Sequence, residues 1–192
     1  MAKMANDCFL LYLPCKSESC TLVPASIYMA NPKYQAMIQQ DPLSPELTKI
    51  VQEVSLSWDI AVRASSLLDT DPNQVEALQL VRYTSPNAEY KLHHDHGAFY
   101  GKLTEHRPWT MLIFLNDVSD GGHTAFPKLD LEVMPRQGDA LIWSNVDDKG
   151  EVDPDMVHMG KPPGKEGIEK YAVNVWFGAE SFASRSNEWK KW

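Results

Sequence analysis

The stretch KLHHDHGAF, residues 91–99, places three histidines and one aspartate within four consecutive positions. Imidazole nitrogens and carboxylate oxygens together suit divalent first-row metals. On an extended strand, residues two apart share a face. Two pairs are then available: His93 with Asp95, and His94 with His96. A histidine and a carboxylate on one face can hold one ion together, but a third ligand must come from elsewhere. The histidines are 93, 94, 96, 106, 123 and 158. His158 is the attractive partner because it falls in a later strand-like segment, 63 positions after Asp95. Two histidines and one carboxylate leave coordination positions open for exchangeable ligands.

Those residues need a scaffold. The segment 44–69, SPELTKIVQEVSLSWDIAVRASSLLD, reads as one long helix, with Ser44 as N-cap and Pro45 in the first turn. Leu47, Ile50, Val51, Val54, Trp58, Ala61 and Val62 recur at helical spacing and predict a core-facing stripe. Residues 8–13 predict a short buried strand, and 14–43 an irregular segment broken by prolines. From residue 77 the pattern changes. Segments 77–83, 89–95, 109–117, 123–127, 131–135, 139–145, 155–160 and 170–178 have strand composition, separated by Gly, Pro, Asn and Asp. Many short strands after one long helix predict a mainly β fold, a sandwich or barrel backed by helix.

A chain of 192 residues suits one domain. Its net charge of −8 argues against nucleic acid or an anionic membrane as partner. Cys8, Cys15 and Cys20 match no metal or redox spacing, and their odd number prevents complete internal pairing. Free thiols fit a reducing compartment, and a Cys15–Cys20 or Cys8–Cys20 bridge fits a secreted protein. The apolar run Phe9–Leu13 is too short for a signal peptide, and no stretch is long enough to span a bilayer. A cytoplasmic location is therefore the expectation. The acidic loop 147–155 lacks the ligand order of a calcium loop and reads as solvated.

LQLVRYTSPNAEYKLHHD, GGHTAFP, PRQGDALIWSN, DPDMVHMG and KYAVNVWF follow one another at spacings that resemble the catalytic domain of prolyl 4-hydroxylases. These belong to the 2-oxoglutarate- and Fe(II)-dependent dioxygenases. The resemblance covers residues 77–178 and implies a double-stranded β-helix, or jelly roll, with supporting helices. Residues 1–76 would then form an N-terminal strand and helical support, and 179–192 a tail. The resemblance places the iron on His93, Asp95 and His158. It makes His94 the variable middle position, facing away from iron. His96 is either a turn residue or part of the substrate entrance.

The same resemblance implies that Lys170 and Thr124 hold the far carboxylate of 2-oxoglutarate, that Tyr83 reaches it, and that Trp176 packs beside it. The competing cation is Lys165, in the loop KPPGKEG. Tyr90 and Arg107 match positions beside the substrate. Tyr90 lies at an odd offset from Asp95, so it reaches the site only if its strand twists or bulges. The expected cofactors are Fe(II), 2-oxoglutarate and O2, with ascorbate as an accessory the resemblance allows. The expected reaction is hydroxylation of prolyl residues in a peptide or protein, with release of succinate and CO2. Alternatives are hydroxylation of a free amino acid or other small molecule, and a non-catalytic jelly-roll binding module. A nucleic-acid demethylase would use arginine where Lys170 stands. The resemblance is imperfect at His123, Met159 and Gly178, which replace a glutamate, a small residue and a histidine. These departures bear on the substrate and leave iron and 2-oxoglutarate untouched.

Overall fold

The computed structural model describes residues 19–21, 36, 39–41, 45–101 and 106–180. The strand expected at 8–13, the cap Ser44, two of the three cysteines and most of the tail lie outside them.

The elements in chain order are β1 (Ser19–Thr21), α1 (Pro45–Leu68), β2 (Gln79–Tyr83), β3 (Tyr90–His93), β4 (Trp109–Phe114), β5 (Thr124–Phe126), β6 (Leu131–Val133), β7 (Ala140–Ser144), β8 (His158–Gly160) and β9 (Lys170–Phe177). They form two antiparallel sheets, ordered β1-β2-β9-β4-β7 and β3-β8-β5-β6. This is the jelly-roll arrangement. β1 falls within the segment expected to be irregular. It forms because its backbone completes the ladder on β2, pairing Cys20 with Leu80.

β9 shows how the layers assemble. Its odd residues Val173, Val175 and Phe177 join Met111 and Leu78 in a buried cluster against Ala61 and Ala64 of α1. Ala172 faces the other way, into a second cluster with Val81, Leu112, Phe114, Phe126 and Trp143. Period-two alternation thus gives the sheet one face for the helix and one for the interior. Burying a side chain such as Phe177 contributes about 2–3 kcal/mol.

The helix occupies the expected span, but its buried face is rotated from the expected stripe. Of the expected stripe Ala61 is buried, but Val51, Trp58 and Val62 are 51%, 44% and 42% exposed, and Ala64 and Ser65 are buried instead, with Ile60 and Leu68 packed beside them. Small residues allow the helix close to the bulky outer face of the sheet. Size complementarity, rather than hydrophobicity alone, selects the contacting arc.

β3 is also shorter than expected. It stops at His93, so alternation along a strand does not by itself bring His93 and Asp95 together. Instead, His94 Nδ1 accepts a hydrogen bond from His96 N at 3.0 Å, and this short loop turns the chain at Asp95.

Candidate metal and co-substrate site

His93 and His158 are direct partners across β3 and β8. Cross-strand neighbours on one face are close enough for their side chains to act jointly, and here the ring centroids are 4.3 Å apart. Asp95 enters from the turn after β3. Its Oδ1 lies 3.5 Å from His93 Nε2 and its Oδ2 lies 3.5 Å from His158 Nε2. The three ligand atoms fall within 4.8 Å of one another, and no other such cluster of His, Cys, Asp or Glu occurs among the described residues.

Backbone carbonyls aim both imidazoles. His93 Nδ1–H donates to Lys91 O at 2.7 Å, and His158 Nδ1–H donates to Met156 O at 2.9 Å. With Nδ1 protonated, each Nε2 presents its lone pair to the common centre, as metal binding requires. Burial pushes the Asp95 carboxyl up, but attraction to His93 and His158 when either imidazole is protonated, together with the Thr110 hydrogen bond, more than offsets it, holding it at about 2. Burial lowers the pKa of His158, only partly offset by Asp95. A charged carboxylate beside a neutral imidazole is the protonation state a divalent cation needs.

His94 takes no part in this cluster. Its Nε2–H donates to Asp153 O at 2.9 Å and its ring stacks on Phe99. His96 is buried and caps a short 3-10 turn, accepting from Ala98 N at 3.2 Å.

Beside the cluster a cavity opens between the sheets, lined by Tyr83, Tyr90, Thr124, Lys170 and Trp176 among others. Lys170 is 1% exposed. Burial drives its pKa down to about 8, and no anion among the described residues opposes that shift. Its Nζ sits 5.2 Å from the Tyr83 ring centroid and 5.7 Å from that of Phe114. Thr124 Oγ1 and Trp176 Nε1 are buried without a hydrogen-bond partner. An unmatched buried donor costs about 1–3 kcal/mol, so two of them beside a buried lysine with no counter-anion among the described residues mark a place for an acceptor-rich anion. Lys165 stays exposed in its loop.

Two glycine positions hold this pocket open. A Cβ on Gly121, at φ +69°, would meet Gly164 N at 2.4 Å. Only glycine therefore lets the turn before Thr124 pack on the 162–164 loop, where Gly122 N donates to Pro162 O at 2.7 Å. On β8, a Cβ at Gly160 would meet the Tyr83 hydroxyl at 2.9 Å. The missing side chain gives that hydroxyl its place.

Tyr90 reaches the cavity through a register shift. Tyr90 pairs with Gly160 and His93 with His158, so β3 spends one more residue than β8 over that interval. The bulge turns the Tyr90 ring edge-on to His93, with centroids 4.0 Å apart. Tyr90 remains 51% exposed, at the cavity rim. Arg107 does not line the cavity. Its guanidinium forms a bidentate pair with Glu76 at 3.0 and 2.9 Å, and lies 4.3 Å over the Trp176 ring.

Sequence reasoning missed Thr110, Asn145 and Gly160. Thr110 Oγ1 donates to Asp95 Oδ2 at 2.8 Å. The available signal was its place as the lone polar residue in the apolar run WTMLIFL.

A jelly roll with an open-sided His/Asp/His cluster, next to a buried and unpaired lysine, defines a class. The model of the 2OG-Fe(II) oxygenase superfamily matches residues 78–178, and the chain belongs to that family. It is 31% identical over 151 residues to prolyl 4-hydroxylase subunit alpha-1 of Gallus gallus, covering 70% of this chain and 29% of that protein. It is 32% identical over 124 residues to prolyl 4-hydroxylase 13 of Arabidopsis thaliana, covering 56% of this chain and 44% of that one. The chain thus spans less than two thirds of the length of these relatives. Viral collagen prolyl hydroxylase from Paramecium bursaria Chlorella virus-1, solved as a 2OG complex, shares the fold. The TM-score is 0.51 at 16% identity, covering 86% of this chain and 98% of that one. Among the described residues, no helix is long and apolar enough to cross a membrane.

Proposed function

We propose that this protein is a 2-oxoglutarate- and Fe(II)-dependent hydroxylase acting on prolyl residues in a peptide or protein. The observation that carries the co-substrate assignment is the trio of Lys170, Thr124 and Trp176. A buried cation with no anion among the described residues to oppose it, and two buried donors without hydrogen-bond partners, stand beside the metal-ligand cluster.

His93, Asp95 and His158 would hold the iron. Lys170 would pair with the far carboxylate of 2-oxoglutarate, Thr124 would donate to it, and Tyr83 would close over it. When bound, iron with 2-oxoglutarate and O2 supplies the oxidising chemistry that turns C–H into C–OH, releasing succinate and CO2. The protein's own task is binding, orientation and exclusion of water. Leu112, Val81 and Trp143 give the cavity apolar walls. Tyr90 offers a ring face and a hydroxyl at the rim, which suits a pyrrolidine ring entering from solvent. The prolyl 4-hydroxylase relatives support the same substrate class.

The test is turnover, with iron and 2-oxoglutarate, of a proline-rich peptide against free proline, followed by mass spectrometry. The peptide should gain one oxygen faster than free proline. Turnover confined to free proline would move the substrate to the small-molecule class. His93→Ala and His158→Ala should abolish turnover, whereas His94→Ala should retain most metal affinity. Loss of metal in His94→Ala with retention in His93→Ala would reverse the ligand assignment.

A further inference from the structure

We infer that Thr110 and Asn145 are positioning residues that fix the Asp95 carboxylate for metal binding through a one-way hydrogen-bond chain starting at Trp143. The inference rests on the metal-centre reading above. The chain runs from Trp143 Nε1 to Asn145 Oδ1 at 3.0 Å, from Asn145 Nδ2 to Thr110 Oγ1 at 2.9 Å, and from Thr110 Oγ1 to Asp95 Oδ2 at 2.8 Å. Thr110 and Asn145 are both 0% exposed.

Its direction follows from the inventory of donors. An indole N–H only donates, so the Asn145 atom facing it must be the oxygen. The other end of the same amide reaches Arg107 O at 3.1 Å, an acceptor, so that end must be the nitrogen. Two independent anchors thus set the amide. The NH2 group then donates to Thr110, whose single proton is left for Asp95. The threonine hydroxyl, which could point either way, is fixed as a donor to the ligand carboxylate.

The scaffold keeps the chain in register. Thr110 on β4 sits directly between Trp143 on β7 and Trp176 on β9. Asn145 follows β7 and is tied by its own N–H to Pro108 O at 2.8 Å. Asp95 lies in a turn rather than in a strand, so sheet geometry alone does not orient its carboxylate. The hydroxyl of Thr110 supplies that restraint, as groups hydrogen-bonded to metal ligands commonly do.

The test titrates Co(II) alone into the wild-type chain, Thr110→Val, Thr110→Ser and Asn145→Asp. Affinity is read by calorimetry and ligand geometry by Co(II) absorption. Asn145→Asp keeps the shape, and in its ionised form it cannot donate; its carboxylate then accepts from Thr110 Oγ1, which turns a lone pair toward Asp95. Thr110→Val and Asn145→Asp should each weaken Co(II) by about 10- to 100-fold and change the spectrum, while Thr110→Ser stays within about threefold. Folded Thr110→Val with unchanged affinity and spectrum would overturn the inference. In the wild-type chain, the Asn145 side-chain amide protons should exchange slowly with solvent, which keeps the chain testable if both disruptive variants fail to fold. Exchange as fast as in an exposed asparagine would also overturn it. Failure of the wild-type chain to bind Co(II) is a distinct result that removes the metal centre itself.

Discussion

Arg107 and Lys170 are two cations withdrawn from water near opposite ends of β9, and the protein treats them differently. Arg107 has a built-in counterion, a bidentate Glu76, and a ring to lie on. Lys170 is the more deeply buried of the two and has no anion among the described residues, only aromatic rings at more than 5 Å. A charge paired internally serves the fold, since its desolvation is offset before any ligand arrives. A charge buried without a partner costs stability and lowers its own pKa, and is retained where a ligand completes the pair. The contrast sets Arg107, held by Glu76 and Trp176, apart from Lys170, to which the proposed function gives the far carboxylate of 2-oxoglutarate.

Removing each cation in turn should separate the two roles. Arg107→Met removes the bidentate partner of Glu76 at a site where the two side chains are 19% and 12% exposed. It should lower unfolding free energy by about 3 kcal/mol in denaturant titrations, yet move the 2-oxoglutarate KM by less than about threefold. A large KM change without loss of stability would return Arg107 to the binding site.

Lys170→Ala should do the reverse, keeping the fold and raising the 2-oxoglutarate KM about 10- to 100-fold, because a charge-assisted contact is lost. An unchanged KM in that variant, with Lys165→Ala impaired instead, would transfer the role to the loop lysine.

The two cations should also differ in pH response. Lys170 titrates at about 8 in the free pocket, below its ordinary 10.5, whereas Arg107 stays charged. Raising the pH from 7 to 9 should therefore weaken 2-oxoglutarate binding about tenfold, measured calorimetrically, and Lys170→Met should flatten that dependence. The stability of the free protein moves the opposite way. Between about 8 and 10.5 the unfolded chain holds more protons on Lys170 than the folded one, so this residue makes stability rise with pH over that window.

The smallest effect should come from Thr124→Val. One neutral hydrogen bond to the anion is worth about 0.5–1.5 kcal/mol, so KM should rise about 2- to 10-fold. A rise as large as that of Lys170→Ala would mean that the hydroxyl, not the charge, dominates recognition.

Much of the site was legible in the chain. His93, Asp95 and His158 stood out by residue type and spacing, Thr124 and Lys170 through the family resemblance, and the structure brings all five around one cavity. The strand segments were legible because alternation and turn residues are local properties. The helix span was legible for the same reason, but its buried arc was not. Val51, Trp58 and Val62 have the right period and yet stay exposed, because the outer face of the sheet takes small Ala64 and Ser65 beside the expected Ala61.

By itself, then, the sequence determined which metal-ligand types and cations the chain carries and in what order, since donor chemistry belongs to the residue. Only the tertiary structure decided how they are aimed. The β3 bulge turns Tyr90 toward His93, although strict alternation from Asp95 would send it to the other face. The turn after β3 presents Asp95 to the two histidines. Trp143, Asn145 and Thr110 meet across two strands to orient its carboxylate. Glu76 captures Arg107 from 31 residues away. Each depends on contacts between distant segments, whose geometry exists only once the two sheets have closed on each other.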